Sequence, residues 1–309
     1  MSFLAAYIMR GKMQAVLVAS LLALVSLFMH PLLKPAIIIV SFASIALVTL
    51  RKGGAEGMYT LLYATAATAL IGGLLLGDAA FIGLMVVSCL TMWLPVWLVA
   101  VVLRETRNLA LAVELAMFIG VLGVAGFYAY TGDPATTWQA AFAPLLEMLP
   151  EDAPVQGMRD WITMFSHYMT GVFAASSLCA VLFGLFLARW WQSVLYNPEG
   201  FKREFLSLRT GARLAIGSII VIIVAETTSG LLAEMAWNIT ILLFVLYLFI
   251  GTSVLHTQLA AMKQSKYLVP MLYITLFLIP HVAFPVALVG LCDAWLNLRK
   301  IPSAPSSKG

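Results

Sequence analysis

Two carboxylates, Glu226 and Glu234, flank the short polar turn 227–230 between two apolar runs. An ionised side chain within or beside a run of bilayer length is energetically expensive, which makes such residues functional candidates by default. Asn238 lies about one helical turn beyond Glu234 on the same face, with Trp237 beside it. His167 and Tyr168, about two turns past Trp161 in an earlier run, enter the apolar region from the same side. Two carboxylates at one level share a proton or attract a cation, because like charges at close range resist joint ionisation. These six residues therefore read as a polar site for a cationic or hydrogen-bonding small solute. The alternative is that both glutamates simply solvate a turn.

No pattern for covalent or metal-assisted catalysis accompanies them. The sequence has no H-E-x-x-H, no G-x-S-x-G elbow, no phosphate-binding Gly-rich loop and no dinucleotide fingerprint. His30, His167, His256 and His281 are scattered near the ends of apolar runs, which gives no ligand spacing for a metal. Cys89, Cys179 and Cys292 lie in apolar surroundings without a C-x-x-C pair and read as small hydrophobes. The expectation is a non-enzymatic protein without a cofactor.

Four further constellations concern packing and partners. Ala15, Ala19 and Ala23 recur at every fourth position, a small-residue ridge that lets another helix approach closely, inside the protein or on a membrane partner. Asn197-Pro198-Glu199-Gly200 starts a turn, after which Phe201, Phe205 and Leu208 line one side of a short helix beside Lys202, Arg203 and Arg209. That helix is expected on the inner membrane interface, where it also offers a docking surface to a cytoplasmic protein partner. Glu114 lies inside an apolar run and is expected to pair with Arg104 or Arg107. Asp293 and Asn297 share a helical face close to Arg299, an anchoring cluster at the end of the last helix.

The elements that position these residues follow from composition. With 62% hydrophobic and 10% charged residues, and a mean hydropathy of +0.99, the chain departs from soluble proteins, which are about 45–50% apolar and about 25% charged. Apolar runs at 13–29, 35–50, 57–76, 79–103, 109–130, 161–188, 212–226 and 231–255 approach or exceed the roughly 20 residues a spanning helix needs. A ninth stretch, 267–298, carries Pro280 and Pro285 near its middle and reads as a bent helix or hairpin that either crosses the bilayer or re-enters it. The fold class is all-α: a polytopic transmembrane bundle of about eight spanning helices plus this C-terminal feature, one integral membrane domain over 1–300. The Ser/Pro-rich tail 301–309 is expected to be disordered. In the long loop before Trp161, the spacing of Trp138, Phe142, Leu145, Leu146 and Leu149 suggests a short amphipathic element on the outer interface, interrupted by Pro144.

Orientation comes from Lys and Arg, which concentrate on the cytoplasmic side. With the N-terminus inside, only Lys34 and Arg159 of the 18 basic residues fall outside, which leaves 16 within. The net charge of +4 is thus a matter of topology, and the scattered basic pairs offer no stripe for nucleic acid.

The turn at Asn197 to Phe205 and the pattern Gly290, Leu291, Asp293, Trp295 and Arg299 resemble the YybS-like family of bacterial polytopic membrane proteins, a domain of unknown function. The resemblance implies a bacterial cytoplasmic membrane location and no assigned activity. More remotely, the chain looks like the substrate-binding membrane subunits of energy-coupling-factor transporters. Those carry an Ala-xxx-Ala surface on their first helix, as Ala15, Ala19 and Ala23 would here. The expected function is a solute-binding or transport-associated membrane subunit. Its rival is a structural or regulatory membrane protein that docks partners through 196–213 and transports nothing.

Overall fold

The structure, a computed structural model, describes residues 2–76, 79–147 and 155–299. The described residues form α-helices and one short 3₁₀ turn, with no strands. In chain order the helices are α1 (Ser2–Arg10), α2 (Lys12–Phe28), α3 (Lys34–Lys52), α4 (Gly54–Leu76), α5 (Ala79–Thr106), α6 (Leu109–Thr131), α7 (Pro134–Glu147), α8 (Val155–Tyr196), α9 (Gly200–Leu206), α10 (Ala212–Thr227), α11 (Gly230–Ala260), α12 (Ser265–Leu278) and α13 (Ala283–Leu296). The tail 301–309 lies outside the described residues.

Six of these helices, α3, α4, α5, α6, α8 and α11, are long and apolar enough to cross a membrane. The pair α12 and α13 passes the same test together, bent by 112° at the Ile279-Pro280 break, where the 3₁₀ turn Pro280–Val282 sits. A proline ring removes a backbone donor and disfavours helix in the residue before it, which explains a break at that place. The remaining two apolar runs form α2, with 17 residues, and α10, with 16. Large apolar side chains such as Leu74 of α4 and Phe277 of α12 stand outward. The chain is an all-α, multi-pass membrane protein whose outward apolar surface meets lipid.

Contacts divide the chain into two compact units: residues 1–119 with 176–205, and residues 120–175 with 206–309. In the first, α3 is buried without interruption from Ser41 to Leu50, as expected of a helix that is apolar all round. It packs with α2, α4 and α5. Ser41 Oγ donates to Ala19 O of α2 at 3.0 Å and accepts Trp93 Nε1 of α5 at 3.3 Å. Ala15 and Ala19 are fully buried and Ala23 is half-buried, so the alanine ridge is covered by helices of its own unit.

In the second unit α11 is the central element, with Leu242, Leu246 and Ile250 inaccessible to solvent. It packs against α10, α12 and α13. The crossing with α13 is tight because Gly290 faces Gly251: a Cβ at Gly290 would overlap the Tyr247 carbonyl oxygen and stand 2.6 Å from Gly251 N. Cys292, on the other side of α13, is exposed, unlike the buried Cys89.

Candidate functional site

The second unit gathers a polar cluster on α6, α8 and α11. Glu234, one turn into α11, accepts a hydrogen bond from Tyr128 Oη of α6 at 2.8 Å through Oε1. Its other oxygen lies 2.6 Å from His167 Nδ1 of α8. The Glu234 side chain is 15% exposed and that of His167 48%, so the pair stands at the rim of the cluster rather than sealed within it. One turn deeper, Asn238 is completely buried. Its amide nitrogen donates to Tyr128 Oη at 2.9 Å, to His167 O at 2.7 Å and to Glu234 O at 2.8 Å. Its amide oxygen accepts the backbone N–H of Gly171.

The spacing of two helices makes this arrangement possible. Glu234 and Asn238 are four apart and therefore stack on one face of α11, as do His167 and Gly171 on α8. Gly171 lets the backbones come close: a Cβ there would stand 2.7 Å from Asn238 O and 2.8 Å from Asn238 Cα. Asn238 thus fixes the register of α11 on α8, and that register sets the imidazole against the carboxylate. Interhelical polar contacts of this kind contribute about 0.6 kcal/mol on average in a membrane, and up to about 1.7. The cluster therefore positions residues more than it stabilises the fold.

A carboxylate joined to an imidazole and backed by a phenol can accept, hold or pass a proton, and together they present both donors and an acceptor to a solute. Among the described residues no three His, Cys, Asp or Glu side chains come together as a metal ion would require.

Of the six residues expected from the sequence, the structure brings together Glu234, Asn238 and His167. Trp237 is half-buried beside them and Tyr168 is exposed. Glu226 is exposed at the end of α10, where no hydrogen bond or ion pair to another described residue engages it. Tyr128 is the member that sequence reasoning passed over. Its signal was a phenol inside an apolar run, since a buried Tyr hydroxyl usually finds a partner.

Beside the cluster, α7 contains Trp138, whose ring stacks on Phe173 of α8 at 4.7 Å between centroids and whose Nε1 donates to Thr170 Oγ1 at 2.9 Å. The element expected on the outer interface is thus a helix whose aromatic side packs on α8. Leu149 and the side chain of Leu146 lie outside the described residues.

The remaining motifs take structural places. In the first unit, Glu199 adopts φ +66° in the turn that begins at Asn197-Pro198, and Gly200 N returns to Asn197 O at 3.1 Å. Helix α9 then lays Phe201 and Phe205 on Phe186 of α8, with ring centroids 5.8 and 5.7 Å away. Glu204 pairs with the Arg189 guanidinium through both oxygens, while Lys202 and Arg203 face outward. In the second unit Asp293 is completely buried. It accepts Leu298 N at 2.9 Å and Arg299 Nε at 3.2 Å, with Arg209 Nε 4.0 Å away. The Arg299 guanidinium also donates to the carbonyls of Leu206 and Leu208, and Arg209 to that of Ala294 at 3.2 Å. This clamp ties the connector before α10 to the end of α13. Trp295 of the same motif is exposed on α13.

Compared with known proteins, the sequence matches no family model, no curated protein and no solved structure.

Proposed function

We propose that this chain is a non-enzymatic subunit of the bacterial cytoplasmic membrane that binds a small solute, in a manner governed by protonation, at the cluster of Glu234, His167, Tyr128 and Asn238. The observation that carries the reading is the 2.6 Å contact of His167 Nδ1 with Glu234. Ionisable side chains on membrane helices mark solute and proton pathways when they face one another. The contact sets a carboxylate against an imidazole, two groups that can exchange a proton, so retention of a bound solute is expected to depend on pH, and the range to compare runs from about pH 5 to 8. The half-exposed His167 gives the solute its entry, Tyr128 holds the carboxylate behind it, and Asn238 in turn holds Tyr128.

The test is purification in mild detergent followed by native mass spectrometry across that pH range, comparing wild type with Glu234→Gln, His167→Asn and both together. Loss of a co-purifying small molecule, or of its pH dependence, is the expected result. A double variant that keeps the same molecules with the same pH response would sink the reading.

The basic residues support an orientation with the N-terminus, the connector 196–213 and the C-terminus in the cytoplasm. A cysteine at Lys202, in a variant without the three native cysteines, should resist an impermeant reagent applied to intact cells. A second role is favoured by the outward Lys202 and Arg203 on α9, a basic surface for an acidic cytoplasmic protein. An unchanged set of co-purifying cytoplasmic proteins in a Lys202→Glu, Arg203→Glu variant would remove that role.

A further inference from the structure

A polar cleft of about 650 Å³ opens in the first unit, where the C-terminal ends of α3, α5 and α8 come together. Four arginines line it, Arg51, Arg104, Arg107 and Arg189, against two carboxylates, Glu105 and Glu204. Two of the four are already engaged. Arg189 is neutralised by Glu204 through both oxygens. Arg104 gives Nη1 to Leu50 O at 2.8 Å and lies 3.6 Å from Glu105. The carbonyls left over at a helix C-terminus account for such residues without any ligand, and Gln192 also donates to Leu50 O, at 3.4 Å.

Arg51 and Arg107 are not accounted for in this way. Among the described residues no carboxylate pairs with either. The Arg51 guanidinium lies over the Tyr196 ring at 4.1 Å from its centroid. Stacking holds the planar group in place while leaving its edge donors free. Arg107 adopts φ +52° in the link between α5 and α6, a conformation uncommon for a side chain of its size. It is exposed, as is Arg51.

We infer that this cleft binds a phosphate group, held between the Arg51 and Arg107 guanidinium forks. Arg is the preferred partner for phosphate because its donors match two oxygens at once, and a phosphate has oxygens enough to engage two forks. The cleft falls within the roughly 300–1,000 Å³ of ordinary ligand sites. Two sources share this chemistry: the headgroup of an anionic phospholipid and a soluble phosphate compound. The inference concerns a different set of residues from the Glu234 cluster and does not depend on it.

The experiment uses the full chain in lipid nanodiscs of phosphatidylcholine, with and without phosphatidylglycerol, and in detergent with inorganic phosphate. Arg51→Gln, Arg107→Gln is compared with wild type and with the charge-matched control Lys263→Gln, Lys266→Gln. Bound lipid is read by native mass spectrometry and phosphate by the shift of the thermal midpoint. The expected result is at least about a tenfold loss of phosphate-group binding in the arginine variant, equivalent to roughly 1.4 kcal/mol, with binding retained by the lysine control. Loss confined to phosphatidylglycerol assigns a lipid headgroup, and loss of the response to inorganic phosphate assigns a soluble ligand. Should the Gln variant fold poorly, Arg51→Lys, Arg107→Lys keeps both charges and should bind more weakly than wild type but better than the Gln variant. Equal binding by the arginine variant and wild type, or an equal loss in the lysine control, overturns the inference.

Discussion

Replacing Gly171 by alanine tests whether the spacing of α8 and α11 sets the polar cluster. The new methyl carbon would stand 2.7 Å from Asn238 O, whereas an ordinary carbon–oxygen contact is about 3.3 Å. The helices must therefore part by roughly 0.6 Å at this level. Added to the 2.7 Å hydrogen bond from Asn238 to His167 O, that shift gives about 3.3 Å, beyond the usual range of about 2.7–3.2 Å. The 2.6 Å contact between His167 and Glu234 lengthens to about 3.2 Å by the same reasoning and survives in weakened form. Overpacking costs roughly 1–3 kcal/mol, and a displacement this small belongs near 1. Gly290→Ala is the comparison, since its Cβ overlaps the Tyr247 carbonyl oxygen at the α11 and α13 crossing; it should cost nearer 3 kcal/mol. Thermal midpoints in one detergent give the order of stability, and native mass spectrometry gives the retained solute. Gly171→Ala should be the milder variant in stability and the stronger in its effect on bound solute. If it matches wild type in both, helix spacing does not set this site; if Gly290→Ala alters the pH response of binding more, the site is assigned to the wrong crossing.

Asn238→Leu should destabilise the protein by about 1–3 kcal/mol, because it leaves the Gly171 N–H and Tyr128 hydroxyl short of a buried partner, and slower thermal unfolding than wild type would contradict this. Glu226→Gln should stay within about 0.5 kcal/mol of wild type in the same assay, as an exposed residue should, and should leave solute retention unchanged where Glu234→Gln lowers it. Ala19→Leu should overpack the α2 and α3 contact by roughly 1–3 kcal/mol, so an unchanged midpoint would mean the two helices separate freely. Glu204→Gln should cost about 1–3 kcal/mol, since Arg189, only 13% exposed, loses its charged partner; proteolysis within 197–206 should rise with it.

Apolar runs made the helices legible because a membrane helix must satisfy its backbone internally and present lipid-compatible side chains. The bend at Pro280 was legible for an equally local reason. The extent of α8 was not: its polar first turns, from Val155 to Asp160, look like loop in hydropathy yet continue the helix for 42 residues in all. Nor did the turn between Glu226 and Glu234 reveal which carboxylate faces inward, because that depends on what the opposite helix supplies. His167 and Tyr128 supply it to Glu234 from 67 and 106 residues away. Helical periodicity reaches only a few turns and cannot report such a distance. The side of α9 shows the same limit: Phe201 and Phe205 read as lipid-facing because Phe186, which they cover, belongs to another helix.

The Arg299 clamp also has a consequence for biosynthesis. Every residue of the first unit has been made once the chain reaches residue 205, whereas Arg299 must still be added before it can bond to the Leu206 and Leu208 carbonyls. At about 5–20 residues per second, translation separates the two events by on the order of 5–20 s. During that interval α11 enters the membrane while the connector before α10 waits for its guanidinium. A ribosome stalled late in the message would release a chain with a complete first unit and an unfastened second one, a species open to the quality-control proteases of the membrane.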